Sequence, residues 1–597
     1  MLEDLKVQKV PVTISKANNF YDLQLLDLPD YTDSIYILGI NSAYHESSAC
    51  LIKNGVVMIA LEEERLTREK HAKSADVDNP DRLPIQAINL CLEYAGIKGD
   101  SISYIAYSFN PDARLKNQLL DDDFTEGNWG SATGENLFHT KLQAVPTKLS
   151  ELLGIDVSDK FKWIDHHLTH AASAFFVSPF AEADILVIDG IGEFESTTFY
   201  TGKDSKIAHL HSINYPNSIG FLWEKLSTFL GFSEYDACKV MGLASYGDPS
   251  VYYDRFRQFV GIASDGFTLD NAILKFRSPD LSALAQILGP HRTADMPLEQ
   301  KHSDIAAALQ LVTEEILVSL VRTWQQQTNG KYLCIAGGVG LNCVANGILH
   351  RELPYVDIYI QPASHDAGTA LGAAYVVWNQ LLEQPRTFAM ATPYLGPEYS
   401  EIQIQQVLDA NKLVYTRHKD IEAVVAKRLA DGDIVAWFQG RMEFGPRALG
   451  NRSLLADPRN PDIREVMNVK VKHREHFRPF APSILAEKAS EWFSIPKQSV
   501  SSDFMLFAYD VVAAQQTTIP GVVHIDGTSR VQTVSQSSNA KYHKLISEFE
   551  KLTGVPILLN TSFNDSEPIV CSPQDAVNTF LKTKIDCLAI GSFLICK

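Results

Sequence analysis

Long apolar runs and an excess of positive charge are both missing from this 597-residue sequence. No apolar run reaches the roughly 18 residues that a membrane-spanning helix needs, and no positively charged leader with an apolar core opens the chain. The formal net charge of −19 argues against a general binder of nucleic acid or of anionic membranes. We therefore expect a cytoplasmic protein that binds neither.

Paired cysteines and the common nucleotide-binding glycine patterns are missing as well. The 8 cysteines include no CxxC, and most lie in apolar runs, which is typical of reduced thiols in a cytosolic protein. The chain has no Walker A loop, and its glycine-rich turn at 337–347 is not a GxGxxG fingerprint. A composition of 45% hydrophobic and 21% charged residues is ordinary for a globular protein, and 597 residues predict two or more domains.

The stretch of residues 163–176 places two histidines one helical turn apart. Asp165 is a good helix N-cap and small and apolar residues follow, so we predict a helix that begins here. On such a helix His166 and His170 share one face, where two neutral imidazoles bind one divalent metal ion without backbone strain. His167 points roughly 100° away and does not join them.

Two carboxylates further along the chain strengthen the metal hypothesis. Asp189 follows the apolar run 184–188, and Asp366 comes shortly after the apolar run 356–360, so both stand where a ligand at a strand end is expected. A lone HxxxH pair is as typical of core or surface histidines as of metal ligands. With two carboxylates the pattern favours a metal site, and two His with two carboxylates suit several ions.

Residues 35–61 predict a strand, a small polar loop and a β-hairpin. Asn54-Gly55 between two β-like runs is a strong hairpin signal. Actin-like and sugar-kinase-like ATPase folds open in this way, and their loop holds phosphate with backbone N–H groups. His45 in the loop is a candidate base or phosphate donor, and the alternative is a histidine that only ties the loop down.

Two later segments are less informative. Residues 62–71 form a charged, helix-prone run, and such a run is usually a solvated face. Residues 110–145 lack an apolar period, and a segment of that length without regular structure is often a functional loop or lid.

A glycine-rich turn follows the predicted strand at residues 332–336. Gly337 and Gly338 let the backbone approach a ligand, and the helix N-terminus beyond them favours phosphate or ribose contacts. A plain strand-to-helix turn is the alternative. Together with the opening strands, this turn predicts for residues 35–390 a two-lobed α/β fold with a nucleotide cleft between the lobes.

The composition changes after residues 393–397, which look like a linker. Residues 441–478 contain nine Lys or Arg against five Asp or Glu, inside a chain whose net charge is −19. This local reversal of sign predicts a polyanionic ligand, because turns rich in Gly and Pro point several guanidinium groups inward and each can hold phosphate bidentately. A solvated basic face is the alternative.

The motifs resemble those of the O-carbamoyltransferases of nodulation and antibiotic pathways (NodU/CmcH/TobZ type). The resemblance covers about residues 35–597 and rests on eleven blocks in the order of that family, among them the His45 loop and the strand end at Asp189. The other blocks are EEERLTREKH, HHLTHAA, KVMGLASYG, GGVGLNCVANG, SHDAGTALGAA, GRMEFGPRALGNRS, HREHFRPFAPS, HIDGTSRVQ and LLNTSFN. This chain has His45-Glu46 where many relatives have His-Asp.

The resemblance implies a division into domains and a reaction. Residues 1–34 would be an N-terminal extension, residues 35–393 a Kae1-like domain of the actin-like ATPase (ASKHA) fold, and residues 394–597 a smaller α/β YrdC-like domain. The YrdC-like domain would make carbamoyladenylate from carbamoyl phosphate and ATP, with Mg²⁺. The Kae1-like domain would transfer the carbamoyl group to a hydroxyl of a small-molecule acceptor at a metal site, often iron(II) in this group. The resemblance also implies a homodimer.

Site residues carry over position by position onto this sequence. The metal ligands would be His166, His170, Asp189 and Asp366, and the candidate base on the acceptor hydroxyl would be His45. The nucleotide edge of the Kae1-like cleft would comprise Gly337, Gly338, Asn342, Asn346 and Lys239. The pocket for carbamoyl phosphate and ATP would comprise Arg441, Arg447, Arg452, Lys472, Arg478, His524 and Arg530.

Rival functions stay open at this point. A threonylcarbamoyl-type transferase acting on tRNA would use similar domains, and the charge of −19 without a basic stripe outside the pocket argues against it. An actin-like ATP-binding regulator would sense carbamoyl phosphate without releasing pyrophosphate, and a sugar kinase would yield ADP instead of AMP. The acceptor alcohol is not readable from the residues. The resemblance points to natural-product biosynthesis, and no residue supports a saxitoxin-type pathway in particular.

Overall fold

The computed structural model describes residues 34–117, 120–496 and 501–597. Residues 1–33, nearly all of the expected N-terminal extension, lie outside the described residues.

The first lobe is built on a five-stranded sheet in the order β3-β2-β1-β4-β5. Strands β1, β2 and β3 are antiparallel neighbours, and β4 and β5 continue the sheet parallel to β1. The strands are β1 (Tyr36–Asn41), β2 (Ser48–Lys53), β3 (Val56–Glu62), β4 (Ile102–Tyr107) and β5 (Phe161–Trp163). The helices are α1 (Glu64–Thr67), α2 (Ile85–Ala95), α3 (Pro111–Asn117), α4 (Ala132–Gln143) and α5 (Val145–Leu153).

The second lobe repeats this sheet. Its strand order, read from the other edge, is β8-β7-β6-β11-β12, with the same sequence of antiparallel and parallel neighbours. The strands are β6 (Glu182–Ile188), β7 (Glu195–Lys203), β8 (Lys206–Asn214), β11 (Tyr332–Ala336) and β12 (Asp357–Ile360), with a small separate hairpin of β9 (Val260–Ile262) and β10 (Phe267–Leu269). This duplicated order is that of the two-lobed actin-like fold, so the predicted α/β class is confirmed.

Nine helices of the described chain accompany the second lobe or join the lobes. They are α6 (His166–Phe175), α7 (Ile219–Phe229), α8 (Ala237–Ala244), α9 (Tyr253–Phe256), α10 (Asn271–Leu274), α11 (Ser282–Leu288), α12 (Gln300–Thr328), α13 (Cys343–Glu352) and α14 (Ala367–Tyr375). Helices α6 and α14 pack against each other at very close range. A Cβ on Gly372 would collide with the carbonyl oxygen of Thr169, and a Cβ on Gly39 of β1 would collide with that of Ala370.

The C-terminal part is a mixed eight-stranded sheet in the order β13-β22-β21-β14-β15-β20-β16-β19, beside a two-stranded β17-β18 ribbon. Its strands are β13 (Thr416–Arg417), β14 (Val435–Phe438), β15 (Arg452–Ala456), β16 (Ala481–Leu485), β17 (Ala508–Asp510), β18 (Thr528–Arg530), β19 (Gln532–Val534), β20 (Ile557–Ser562), β21 (Cys587–Ile590) and β22 (Phe593–Cys596). Its helices are α15 (Glu401–Ala410), α16 (Ile421–Ala430), α17 (Ile463–Val466), α18 (Ala489–Trp492), α19 (Ala540–Thr553) and α20 (Pro573–Lys582).

Three expectations differ from the structure. The charged run at 62–71 is not a solvated face, because Glu62, Glu63, Glu64 and Arg65 are buried. Residues 110–145 are not one long loop, since they contain α3 and α4. Cys587 and Cys596 face each other across β21 and β22 and form a disulfide, whereas the spacing of the cysteines indicated reduced thiols.

The lengths and the apolar character of the helices bear on whether the chain could cross a membrane. Among the residues that the structure describes, none of the helices combines the length and the apolar character that crossing a membrane requires.

Gly372→Ala should lower the stability of the protein by at least about 2 kcal/mol, because a methyl group has to be forced between two backbones. Helix propensity alone would favour alanine by about 1 kcal/mol, so the clash must outweigh it. Gly242 in α8 is the matched control, since a Cβ there would make only ordinary contacts at 3.5 and 3.9 Å. The midpoint of urea unfolding should fall for Gly372→Ala and stay or rise for Gly242→Ala. Equal midpoints would contradict the close helix contact.

Candidate metal centre and cationic cavity

Helix α6 begins at His166, as its sequence indicated, but a different residue caps it. The side chain of Asp165 makes no cap hydrogen bond and instead accepts from Nδ2 of Asn110 at 2.9 Å. Both carboxylate oxygens of Glu193 lie 3.0 Å from the backbone nitrogen of His166, and Oε1 also accepts from the backbone N–H of Asn110 at 2.8 Å. The cap therefore comes from the next lobe, a position that local sequence cannot reveal.

All four predicted metal ligands converge in the core. The Nε2 atom of His166 lies 3.4 Å from Oδ2 of Asp189 and 3.6 Å from Oδ1 of Asp366. The Nε2 atom of His170 lies 3.4 Å from the same Asp189 oxygen and 3.5 Å from the same Asp366 oxygen. All four residues are buried, and one potential ligand atom from each lies within 4.8 Å of the others.

These separations fit a shared divalent ion. Metal–ligand bonds of about 2.1 Å place neighbouring ligand atoms about 3.0 to 3.4 Å apart in octahedral or tetrahedral geometry. The Nδ1 atom of His166 lies 3.0 Å from the carbonyl oxygen of Ser108 and is placed to donate to it, which leaves Nε2 with a lone pair for a metal. Neither ring nitrogen of His170 has a hydrogen-bond partner among the described residues. The donor set of two imidazoles and two carboxylates does not identify the metal.

His167 stands apart from this cluster. Its Nδ1 atom lies 2.7 Å from Oγ1 of Thr198, on a neighbouring strand. Burial lowers the pKa of His167 well below the ordinary value, so the ring is neutral.

The loop after β1 lies beside the metal centre. The ring of Tyr44 meets the ring of His166 edge-on at 6.0 Å. The neighbouring His45 faces Tyr235 edge-on at 5.4 Å, and its Nδ1 atom is buried without a partner among the described residues. The Oε1 atom of Glu46 lies 2.6 Å from Nδ1 of His71. The predicted base therefore stands next to an ordered Glu–His pair.

A second group that the sequence did not single out adjoins Asp189. Phe221 and Glu224 of α7 pack against Gly190, and burial raises the pKa of Glu224 to about 8. The guanidinium of Arg277 lies 4.9 Å from the ring of Phe221. The Nε and Nη2 atoms of Arg277 are buried and without a hydrogen-bond partner in the described part of the chain. Only a motif linking residues 221–224 with residue 277 could have indicated this group.

A cavity of about 130 Å³ lies where the C-terminal part meets the second lobe. The second lobe contributes Cys238, Met241, Gly242, Ser245, Cys343 and Val344. The C-terminal part contributes Pro446, Arg447, Ala448, Arg474, Arg478, Pro479, Phe480, Ala481, Met505, His524, Asp526, Arg530, Asn560, Thr561 and Ser562.

Four of the seven predicted pocket residues line this cavity, namely Arg447, Arg478, His524 and Arg530, and Arg474 joins them. Burial and the neighbouring Arg478 lower the pKa of Arg474 to about 9, and burial and Arg447 lower the pKa of Arg530 to about 10. The Nε atoms of Arg447 and Arg530 and Nε2 of His524 are buried without partners among the described residues. An anion in the cavity would relieve this repulsion and satisfy these donors.

Arg441, Arg452 and Lys472 do not line the cavity. Arg441 donates to the backbone carbonyls of Met58 at 2.8 Å and Leu395 at 2.6 Å. Arg452 is fully buried and donates to the carbonyls of Gln439, Gly440 and Asn451 and, at 3.4 Å, to that of Pro397. Its Nε atom has no partner among the described residues. Lys472 donates to the backbone and side-chain oxygens of Asn564 at 2.9 and 2.7 Å. These cations donate to oxygen atoms of the protein itself. The number of basic residues in a segment does not show which of them do so and which bind a ligand.

The residues predicted for a nucleotide edge make internal contacts. Gly337 has a φ of +94°, and the N–H of Gly338 donates to Oδ1 of Asp189 at 2.9 Å. Asn342 caps α13 by accepting from the N–H of Ala345, and Nδ2 of Asn346 donates to the carbonyls of Gly340 and Leu506. Lys239 pairs with Asp236 and Glu475 beside the cavity. The glycine turn thus orients a predicted metal ligand.

Two family models match the chain. Residues 36–375 match the carbamoyltransferase N-terminus, and residues 426–597 match the carbamoyltransferase C-terminus. The chain belongs to the carbamoyltransferase family. The metal centre lies within the first matched region, and the arginines of the cavity lie within the second.

Three relatives each align with more than two thirds of this chain. An uncharacterized protein of Synechocystis sp. is 38% identical over 94% of this chain and 97% of its own. Nodulation protein NolNO of Sinorhizobium fredii is 39% identical over 93% of this chain and 80% of its own, and nodulation protein U of the same species is 30% identical over 69% and 74%. None of these three names supports a saxitoxin-type pathway.

Solved structures resemble the chain only loosely. HypF of T. kodakarensis aligns over 58% of this chain and 48% of its own with a TM-score of 0.32 and 13% identity. A likeness at this level adds nothing to the functional argument.

His166→Ala and His170→Ala should each reduce the content of bound divalent metal by at least about tenfold, because each removes one of four ligands. His167→Ala is the matched control and should keep the metal, since its ring binds Thr198 instead. Elemental analysis after dialysis against Fe²⁺, Zn²⁺ or Mn²⁺ measures the content. Full metal retention in both His166 and His170 variants would contradict the site.

Proposed function

We propose that the protein is an ATP-dependent O-carbamoyltransferase. Carbamoyl phosphate and ATP form carbamoyladenylate in the C-terminal, YrdC-like domain, which we place at residues 394–597. The carbamoyl group then passes to a hydroxyl of a small-molecule acceptor at the metal centre of the Kae1-like domain, residues 35–393. The observation that carries the proposal is one chain of the carbamoyltransferase family with both a cavity rich in arginine and a buried His/Asp cluster.

The cavity suits the first step because two phosphorylated substrates must meet there. Arg447, Arg478 and Arg530 offer donors to phosphate oxygens and offset the repulsion between two anions. Water first hydrolyses carbamoyl phosphate to carbamate and phosphate. A carbamate oxygen then attacks the α-phosphorus of ATP, the bond from that phosphorus to the pyrophosphate oxygen breaks, and the mixed anhydride carbamoyladenylate forms as pyrophosphate leaves. Aromatic and apolar wall residues such as Phe480 exclude water from this mixed anhydride.

The second step uses groups around the metal centre. The acceptor oxygen attacks the carbamoyl carbon, the bond from that carbon to the adenylate oxygen breaks, and AMP leaves. The hydroxyl proton passes to His45, whose Nδ1 atom has no partner in the described chain. A divalent ion held by the four ligands, iron(II) in our proposal, supplies Lewis acidity toward the carbamoyl oxygen or the phosphate.

The acceptor is proposed by its chemical class and by where it would bind. The net charge of −19 counts against a nucleic-acid acceptor, so we propose a small-molecule alcohol. Glu224 packs against Gly190, the residue after Asp189, and Arg277 lies 4.9 Å from the ring of the neighbouring Phe221 with unused hydrogen-bond donors, so we place the acceptor on their side.

Purified protein with ATP, carbamoyl phosphate and no acceptor should release AMP and pyrophosphate only when both substrates are present. Product analysis by chromatography measures this outcome, with each substrate alone as the control. ADP as the product would favour a kinase, and binding without pyrophosphate release would favour a regulator.

Arg447→Gln should weaken carbamoyl phosphate or ATP binding by about 10- to 100-fold, because it removes a charge-assisted contact, and it should leave the urea midpoint nearly unchanged. Arg452→Gln is the matched comparison from the same turn. It should lower the urea midpoint, since four carbonyls lose a buried donor. Substrate KM values and urea unfolding distinguish substrate binding by Arg447 from structural support by Arg452. Equal KM values in Arg447→Gln and the natural protein would count against the cavity as the substrate site.

A further inference from the structure

The buried acidic segment at the end of β3 binds a glycine of the C-terminal domain. Oε1 of Glu62 accepts the backbone N–H of Gly445 at 2.9 Å. Nη2 of Arg65 donates to the carbonyl oxygen of the same Gly445 at 2.9 Å and to Oε1 of Glu62 at 3.2 Å. Nη1 of Arg65 lies 2.6 Å from Oε1 of Glu64. Both backbone polar groups of one residue are thus held by a carboxylate and a guanidinium that are themselves paired.

Gly445 also lies directly against the segment that leads to a metal ligand. Its φ is +121°, and a Cβ there would stand 2.8 Å from the carbonyl oxygen of Pro362 and 3.2 Å from the nitrogen of Ala363. Asp366 follows three residues after Ala363. On the other side, Arg447 of the cavity follows two residues after Gly445.

We propose that Glu62, Arg65 and Gly445 are positioning residues that couple the cationic cavity to the metal centre. A substrate anion that pulls on Arg447 moves the Gly445 turn, and the turn moves the Asp366 segment that it packs on. The identity of the anion rests on the proposed function. The contacts that carry the coupling do not depend on it.

The contact is stiff enough to transmit such a movement. Glu62 is fully buried and Arg65 is 3% exposed, so neither can exchange its partner for water without the cost of an unpaired buried charge. The glycine has no side chain that could yield, and its neighbours across the contact are backbone atoms. Close-packed backbone contacts shift together instead of deforming independently.

Other arginines that cross between the domains lead elsewhere. Across the domains Arg68 donates to the carbonyls of Pro568 and Ile569, and within its own helix end it also donates to the backbone carbonyl of Arg65 at 3.3 Å, not to the Arg65 guanidinium. Arg441 donates to Met58 and Leu395. These contacts hold the domains together without touching residues 362–366. They therefore separate general domain docking from the specific coupling.

Two variants with matched controls test the proposal. Gly445→Ala inserts a Cβ against Pro362. Gly432→Ala is its control, because Gly432 also has a positive φ, of +102°, but an added Cβ there would meet no atom within 4 Å. Arg65→Lys keeps the charge but loses the planar two-point contact, and Arg68→Lys makes the same change at the other domain contact. Circular dichroism and the urea midpoint check that each variant folds.

Hydrogen exchange measured by mass spectrometry reads both sites in the full chain, with carbamoyl phosphate and a non-hydrolysable ATP analogue as the probe. In the natural protein the probe should slow exchange in residues 446–452 and also in residues 363–369. In Gly445→Ala and Arg65→Lys the response at 363–369 should fall by about fivefold or more, with the response at 446–452 retained. Gly432→Ala and Arg68→Lys should respond like the natural protein.

Each other outcome overturns a distinct claim. A response confined to 446–452 in the natural protein, or an unchanged response at 363–369 in both Gly445→Ala and Arg65→Lys, would overturn the coupling alone. The absence of any response at 446–452 in the natural protein would overturn the cavity as the substrate site, and the coupling with it.

Discussion

The backbone contact between α6 and α14 is the constraint on which the centre of the molecule depends. One helix carries His166 and His170, and the other begins just after Asp366. Because Gly372 allows the helices to touch, side chains from both reach one point, and Asp189 at the end of β6 completes it. Two imidazoles and two carboxylates in a dry core need shared protons or a shared cation to balance the charge of the carboxylates, and the proposed divalent ion would supply that charge.

The cavity has the opposite electrostatic imbalance to the metal centre, because it gathers positive charges instead of carboxylates. Arg447, Arg474, Arg478 and Arg530 are gathered without enough acidic partners, and the depressed pKa values of Arg474 and Arg530 record the cost. Arg452, only a few residues away, donates to carbonyl oxygens through both of its Nη atoms, and among the described residues only its buried Nε atom is left without a partner. The cavity arginines therefore keep free donors because of where the turn points them, which favours an anionic ligand over a structural role.

Sequence patterns predicted those site residues whose positions follow from the period of one helix or the end of one strand. The i, i+4 pair of histidines and the carboxylates at strand ends needed only helix and strand periods, and the structure places them as expected. Long-range partners were not predictable. Glu193 replaces Asp165 as the cap, and within the buried run at 62–65 Glu62 and Arg65 bind Gly445 of the C-terminal part, whereas Glu63 accepts from the start of α2. For the same reason charge counting could not separate Arg447 from Arg441, since only the folded chain decides which arginine meets a carbonyl.

The two sites also share a second stretch of backbone. The N–H of Gly338 fixes Asp189, and Cys343 and Val344, which follow in the same turn and helix start, line the cavity. The metal centre and the cavity are thus attached to one short segment as well as to the Gly445 contact. In the proposed reaction, carbamoyladenylate would hydrolyse in water, so it would have to be used close to where it forms and not released between separate proteins. Shared backbone segments give a physical reason for both domains to belong to one chain.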